Sequence, residues 1–214
     1  MCVLSIELER MLDLISKQFN ITPNVRSAMS AIPREVFMTE ALRPLAYRID
    51  AVSIGANQFI SSPLTVAKMT QYLEIDKSCD SVLEVGCGSG YQAAILSKLF
   101  RRVFSIERIE RLREEAIVRF KKLGIMNVNT KVDDGNNGWE KYAPFDRMLF
   151  SASPSEIAPK VAAQLVEGGI LVAPMAQNDG SQIITRFIKR HGRLEILDTK
   201  GKCEFVPVKR DIER

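Results

Sequence analysis

Three glycines alternate with other residues at positions 86–90, in the order Gly86, Cys87, Gly88, Ser89, Gly90. The apolar run SVLEV precedes them, and a helical pattern follows from Tyr91. Glycine suits such a turn because a side chain would keep a ligand away from the backbone, and because tight turns need torsions that other residues resist. The amide groups at the start of the following helix favour a bound anion, such as a carboxylate. We therefore predict that these five residues form a cofactor-binding loop.

Acidic residues near this loop could hold the polar groups of an adenosyl cofactor. Glu107 ends the next apolar run, about 20 residues beyond the loop, where a carboxylate accepts hydrogen bonds from both ribose hydroxyls. Each charge-assisted bond of this kind contributes about 1.5–3 kcal/mol. Asp134 and Gly135 follow the third apolar run, where a contact to the adenine is expected. Glu84, just before the loop, is expected to bind the amino group of the cofactor.

Two cofactors fit this loop. NAD is one, because residues 88–93, GSGYQA, match the permissive form of the dinucleotide motif. S-adenosylmethionine is the other, and three features favour it: the acidic residue before the first glycine, the pair Asp134-Gly135, and the long segment, residues 1–80, that precedes the first strand of the pattern. We predict S-adenosylmethionine, and hence a methyltransferase.

The elements that position these residues follow from an alternating pattern. From residue 81 onward, strand-length apolar runs alternate with amphipathic helical segments; the runs are SVLEV, RVFSI, VNTKV, RMLFS and ILVAPM. Such alternation predicts a Rossmann-like α/β fold, a doubly wound and mostly parallel sheet with helices on both faces. The runs IITRFIKR and RLEILDTK flank His191-Gly192 and predict an antiparallel hairpin at the edge of the sheet. The helix before ILVAPM is expected over residues 155–165.

The first third of the chain reads differently, as short helices separated by prolines. Residues 4–19 have apolar groups at helical spacing, broken by charges, which predicts an amphipathic helix rather than a signal peptide or a membrane span. Thr22-Pro23 and Ser62-Pro63 each place a capping residue before a proline, as at the start of a helix. We predict an N-terminal helical segment, residues 1–78, that covers substrate and cofactor, and a cofactor-binding domain, residues 79–214, together forming one compact unit.

The bulk composition excludes several classes of protein. The chain has 214 residues, 46% of them hydrophobic, and a net charge of only +4, which suits a globular domain with one substantial core. The cysteines, at positions 2, 79, 87 and 203, are isolated from one another, so we expect reduced thiols and no metal site. His191 is the only histidine, which argues against a Ser-His-Asp triad. The cytoplasm is the expected compartment.

Several further motifs resemble one family, the protein-L-isoaspartate O-methyltransferases. The likeness runs from AIPRE at residues 31–35 to FVPV at residues 205–208. Between them, QFISSP at 58–63 is similar to the family signature Q-T-I-S-x-P, and VGCGSGY at 85–91 and SIE at 105–107 match its cofactor motifs. DDG at 133–135 stands where the family has G-D-G, and QL with GG at 164–169 completes the pattern.

The resemblance implies a reaction and a set of site residues. Members of the family use S-adenosylmethionine to methylate the free α-carboxylate of L-isoaspartyl residues in damaged proteins. Ser61 then corresponds to the active-site serine, Glu107 binds ribose, and Asp134 with Gly135 holds the adenine. The residues expected to bind substrate are Gln58, Phe59, Ile60, Ser61 and Val206.

The implied chemistry needs little from the protein. A carboxylate with a pKa of about 3–4 is already ionised at neutral pH, so no catalytic base is required. We expect Ser61 to hydrogen-bond the attacking carboxylate or its neighbouring amide; the alternative is that Ser61 only caps the helix that begins after it. Two residues depart from the family pattern: Phe59 replaces a threonine, and Ile49 replaces an aspartate, with Asp50 one position later.

Two other functions remain open. A methyltransferase of RNA or of a small molecule is one, supported by basic pairs such as Arg101-Arg102; most basic groups, however, alternate with glutamates as on a solvated helix face. Enzymes that methylate base amino groups carry the motif D/N-P-P-aromatic after the fourth strand. Residues 151–154 read SASP at that place, which argues against a methyltransferase of this kind. A catalytically degenerate cofactor-binding module is the other, suggested by Phe59 and Ile49. We expect no nucleic-acid partner and no membrane; the oligomeric state does not follow from the sequence.

Overall fold

A computed structural model describes residues 3–55 and 57–213, with side chains from residue 6 onward. Cys2 lies outside the described residues. Within them the structure has a two-stranded ribbon and a seven-stranded sheet. The strands are β1 (Val52–Gly55), β2 (Gln58–Ile60), β3 (Ser81–Val85), β4 (Arg102–Glu107), β5 (Val128–Val132), β6 (Phe145–Phe150), β7 (Leu165–Ala176), β8 (Gln182–Arg190) and β9 (Arg193–Cys203).

The large sheet has the order β5-β4-β3-β6-β7-β8-β9. Strands β3 to β7 are parallel, whereas β8 pairs antiparallel with β7 and β9 pairs antiparallel with β8. Alternate residues of a strand face opposite sides of the sheet. Val82 joins one apolar cluster, and Leu83 and Val85 join the other, so helices and loops cover both faces. The predicted Rossmann-like fold and its C-terminal hairpin are confirmed.

The helices are α1 (Val3–Gln18), α2 (Pro23–Ser30), α3 (Pro63–Gln71), α4 (Tyr91–Leu96), α5 (Glu110–Lys122) and α6 (Pro159–Ala163). Two 3-10 turns, Arg34–Phe37 and Glu40–Leu45, lie between α2 and β1. Pro23 and Pro63 begin α2 and α3 as expected. No helix of the described residues is long and apolar enough to cross a bilayer.

The N-terminal helices share a core with the sheet domain. One buried cluster contains Met11, Leu12 and Ile15 of α1 together with Ile95 of α4 and Phe120 of α5. Burying such side chains stabilises a fold by about 1.5–3 kcal/mol each. The helical segment is therefore packed against the domain that carries the glycine loop; the exact division between residues 78 and 79 stays a prediction.

Local details differ from the sequence-based expectations. Helix α6 begins only at Pro159, because proline fixes the backbone at the first helical position and residues 155–158 approach it in irregular conformations. Helix α4 ends at Leu96, after which Lys98 and Leu99 form tighter i→i−3 hydrogen bonds. The ribbon of β1 and β2 was not predicted.

Candidate active site

The main pocket opens at the carboxyl ends of β3, β4 and β6. The strand order reverses between β3 and β6, and such a switch point leaves a crevice outside the strand ends where ligands bind. The crevice encloses about 920 Å³, counted with its open mouth. The predicted loop and the predicted substrate residues meet in this one pocket.

Backbone hydrogen bonds to β4 hold the loop that follows β3. The amides of Gly86 and Cys87 donate to the carbonyl of Ile106, at 2.9 and 3.1 Å. Gly88 has φ +53° and lines the pocket, and a Cβ there would meet no atom within 4 Å. An added side chain at this position would therefore occupy the cradle rather than the protein interior. Cys87 and Ser89 line the same pocket.

Gly90 plays a different part from the other two glycines. It precedes α4 with φ +91°, and a Cβ would lie 2.9 Å from the ring of Phe120 on α5. It does not line the pocket. The third glycine thus allows α5 to pack closely against the start of α4, a packing role rather than a ligand contact.

Glu107 reaches the loop from the end of β4. One carboxylate oxygen accepts the Gly88 amide at 2.7 Å, and the other accepts the Ile109 amide at 3.0 Å. The residue is 6% exposed and lines the pocket. Each oxygen retains further acceptor capacity, because an ionised carboxylate has about four lone-pair sites. The carboxylate is placed to accept a pair of hydroxyls from a ligand beside Gly88.

Glu84 lies behind the pocket wall rather than in it. Its fully buried carboxyl accepts hydrogen bonds from Ser105 Oγ and, at 2.9 Å, from Ser151 Oγ. Burial raises the pKa of Glu84 to about 8, because removal from water disfavours the charged form. Ser151 lines the pocket and Glu84 does not. The binding of an amino group by Glu84 stays a prediction, and a ligand would meet it through Ser151.

Of the two predicted residues at the end of β5, Gly135 lines the pocket and Asp134 does not. Gly135 lines the pocket and lies so close to Val85 that a Cβ would fall 2.3 Å from that side chain. The carboxylate of Asp134 accepts the Asn136 amide at 2.8 Å and so caps the short turn that follows. Asp133, the preceding residue, lines the pocket instead. The adenine contact of Asp134 remains a prediction.

The predicted substrate residues all line the pocket: Gln58, Phe59, Ile60, Ser61 and Val206. Ser61 follows β2, and its Oγ makes no hydrogen bond to any residue that the structure describes. The cap of α3 is Ser62, whose Oγ accepts the Thr65 amide at 3.1 Å. The alternative in which Ser61 merely caps this helix is therefore wrong. Its hydroxyl is free to meet a ligand.

A second pocket continues from the first. The two share Phe59, Ser61, Thr65, Ser151, Phe205 and Val206. The carbonyl of Val206 accepts the Ser153 amide at 2.8 Å, which fixes the segment after β9 against the loop after β6. Ser61 thus lines both pockets at the place where they join.

Of the two departures from the family pattern, Phe59 lines both pockets and Ile49 lines neither. Phe59 is 54% exposed, while its neighbour Ile60 points into the core. Asp50 forms an exposed ion pair with Arg48 at 3.3 Å. Exposed pairs of this kind contribute about 0–1 kcal/mol. Neither change fills the cavity at Ser61.

Sequence reasoning missed several lining residues. Ser151 follows β6 at the switch point, and the position after a fourth parallel strand was the available signal for it. Ile109 also lines the pocket but has no local motif, whereas Phe205 begins the FVPV motif, in which only Val206 was expected to bind substrate. His191 is exposed in the turn between β8 and β9, as expected. Among the described residues, no group of three or more histidine, cysteine or acidic side chains could hold a metal ion.

Comparison with known proteins identifies a single family. A family model described as Protein-L-isoaspartate(D-aspartate) O-methyltransferase matches residues 7–213. Curated proteins named Protein-L-isoaspartate O-methyltransferase from Helicobacter pylori strains J99 and G27 are 57% and 56% identical over 204 residues, or 95% of this chain and 97% of theirs. A solved protein-L-isoaspartate O-methyltransferase has a TM-score of 0.86 at 25% identity, over 96% of this chain and 67% of that one.

A second solved structure shows the same fold. It is a putative protein-L-isoaspartate O-methyltransferase from Plasmodium falciparum in complex with S-adenosyl-L-homocysteine. Its TM-score is 0.83 at 22% identity, over 95% of this chain and 99% of that one.

Proposed function

The chain belongs to the protein-L-isoaspartate(D-aspartate) O-methyltransferase family, and from this premise we infer that it methylates the free α-carboxylate of L-isoaspartyl residues in damaged proteins with S-adenosylmethionine. The resemblance found in the sequence is confirmed by the family model and by relatives that span 95% of the chain. The observation that carries the proposal is the meeting of the glycine loop and the free Ser61 hydroxyl in one pocket.

The residues of the pocket fit the cofactor. Gly88 leaves a cradle that a Cβ would fill, and Glu107 offers two carboxylate oxygens beside it. S-adenosylmethionine, when bound, supplies an activated methyl group on a positively charged sulfur. We assign Glu107 to the ribose and the backbone of Gly86–Ser89 to the amino-acid part. Gly135 and its neighbours after β5 form the wall for the adenine.

In the reaction, one carboxylate oxygen forms a bond to the methyl carbon as the bond from that carbon to sulfur breaks. The anion becomes a methyl ester and no proton is transferred, so a general base is not needed. The protein contributes alignment and exclusion of water, and alignment alone can supply about 7–11 kcal/mol. Ser61 donates a hydrogen bond that orients the attacking carboxylate. Ser151 lies across the same junction of the two pockets.

The substrate approaches through the second pocket. Phe59, Phe205 and Val206 border its junction with the cofactor cavity, so a peptide segment there would present one carboxylate to Ser61. The rim departure at Phe59 leaves this junction open, which supports an active enzyme over a degenerate binding module. Damaged proteins are the partners, and we propose that the reaction takes place in the cytoplasm.

The deciding experiment is transfer of a radiolabelled methyl group to a peptide that contains one L-isoaspartyl residue. The same peptide with ordinary aspartate and a structured RNA serve as matched acceptors. We expect base-labile methyl ester on the isoaspartyl peptide alone. Label on the RNA, or equal label on both peptides, would refute the proposed substrate.

A further inference from the structure

We propose that Arg34 is a positioning residue for methyl transfer: its buried guanidinium, bonded to the carbonyl of Ser61 and to three carbonyls of residues 46–50, fixes the Ser61 hydroxyl relative to the cofactor loop. The proposal rests on the function inferred above. Arg34 begins the 3-10 turn after Pro33 and has no solvent exposure. It lies in a part of the chain to which the reaction has so far assigned no role.

The hydrogen bonds of Arg34 all go to backbone oxygens, and its guanidinium also lies 5.7 Å from the centre of the Tyr91 ring at the start of α4. Its Nη1 donates to the carbonyls of Ala46 at 2.6 Å and Arg48 at 3.3 Å. Its Nη2 donates to the carbonyls of Asp50 at 3.3 Å and Ser61 at 3.0 Å. One planar fork therefore joins two stretches of chain that are separate in sequence, residues 46–50 and the end of β2.

The charge of Arg34 has no acidic partner among the residues that the structure describes. The nearby carboxylate of Asp50 pairs with Arg48 at the surface instead. Burial lowers the pKa of Arg34, but an arginine stays protonated at any physiological pH. A buried cation without a carboxylate depends on its carbonyl contacts, so the carbonyls are held where the guanidinium can reach them.

Arg34 makes a hydrogen bond to Ser61 and none to residues 86–90 of the cofactor loop. Ser61 is preceded by the paired strand β2 and followed by α3, and its carbonyl is the point that Arg34 holds. The loop at Gly86 and Gly88 is held separately, by Ile106 and Glu107. Loss of Arg34 should therefore loosen the Ser61 hydroxyl and leave cofactor binding almost intact.

A matched control exists in Arg147. It is 8% exposed, and its guanidinium donates to the carbonyls of Leu73, Glu74 and Asp146 at 2.6–3.0 Å. These contacts lie at the amino end of β6, whereas the site is at the carboxyl ends of the strands. Arg147→Met removes a buried arginine that clamps backbone, as Arg34→Met does, but far from Ser61.

The test compares Arg34→Met, Arg34→Lys and Arg147→Met. A misplacement near 1 Å lowers turnover by about 100-fold, and we expect a loss of that size in kcat for Arg34→Met. Its affinity for S-adenosylhomocysteine should change by less than about threefold, as should the kcat of Arg147→Met. Arg34→Lys keeps the charge without the fork and should have intermediate turnover.

Hydrogen exchange gives a readout that does not depend on activity. In Arg34→Met the amides of residues 46–50 and 58–61 should exchange faster, with no change in β3, and Arg147→Met should leave all of these residues unchanged. Unaltered turnover in Arg34→Met would overturn the proposal, as would an equal loss of cofactor affinity. Failure of both Arg34 variants to fold while Arg147→Met folds would assign Arg34 to stability alone. If the wild type does not methylate the peptide, the proposed function fails and exchange alone decides the role of Arg34.

Discussion

Replacement of Glu107 by glutamine should weaken cofactor binding by a calculable amount. The carboxylate accepts the Gly88 and Ile109 amides on different oxygens, and a ribose would use the remaining capacity of both. Glutamine keeps one acceptor oxygen and turns the other into a donor, so one charge-assisted bond to the ribose is lost and either the Gly88 or the Ile109 amide loses its acceptor. At about 2 kcal/mol for that bond, the dissociation constant should rise about 30-fold.

Isothermal titration with S-adenosylhomocysteine measures this change. Glu114→Gln, an exposed glutamate on α5, is the matched control and should bind as the wild type does. The 2′-deoxy analogue of the ligand identifies the contact: Glu107→Gln should cost much less affinity toward it, because the hydroxyl that the carboxylate accepts is absent. The ribose assignment would be refuted if Glu107→Gln changed the dissociation constant by less than twofold, or if it lowered the affinity for both ligands equally.

Three further changes have expected outcomes. Ser61→Ala should lower kcat and leave the affinity for S-adenosylhomocysteine unchanged in titration. Ser62→Ala should lower only the unfolding free energy, by about 0.5–2 kcal/mol, because it removes a helix cap. Equal activity in the two variants would contradict the role of Ser61. Gly90→Ala should destabilise by about 1–3 kcal/mol in urea titration, because its Cβ meets an aromatic ring of α5 at 2.9 Å, and more than Gly192→Ala, which has open space at φ +75°. The pKa of Glu84 is about 8 in the folded protein against an ordinary value of 4.5, so its contribution to stability is complete below about pH 4.5 and is lost as the pH rises through about 8. The wild type should therefore lose unfolding free energy across that window relative to Glu84→Gln. Parallel curves of unfolding free energy against pH for the two proteins would contradict this.

The parallel part of the fold was predictable because each of its strands is an apolar run bounded by turns. Strand β3 is buried on both faces, so its run SVLEV carries a strong signal. The ribbon of β1 and β2 was not predictable, because apolar and polar residues alternate for only a few positions in residues 52–60, which include Gly55 and several polar groups. Short strands depend on tertiary contacts that no local pattern records.

The residues of the candidate site also differ in how far the sequence could predict them. The glycine loop and Glu107 were found because a fixed spacing links them along the chain. Ser151 reaches the pocket only through the order of the strands. Arg34 does not line the pocket, and its contact with the Ser61 carbonyl arises only from the tertiary fold. Gly90 was expected to contact cofactor, but the structure gives it a packing contact that sequence spacing cannot distinguish from a ligand contact.

The carboxyl of Glu84 stands one hydroxyl away from the pocket, because Ser151 Oγ donates to it and also lines the cavity. With a pKa of about 8, this carboxyl favours its protonated form at neutral pH. The predicted contact with the amino group of the cofactor, a cation at that pH, favours the ionised form, so we expect uptake of either S-adenosylmethionine or S-adenosylhomocysteine to expel a proton. Binding heats in buffers of different ionisation enthalpy would reveal that release.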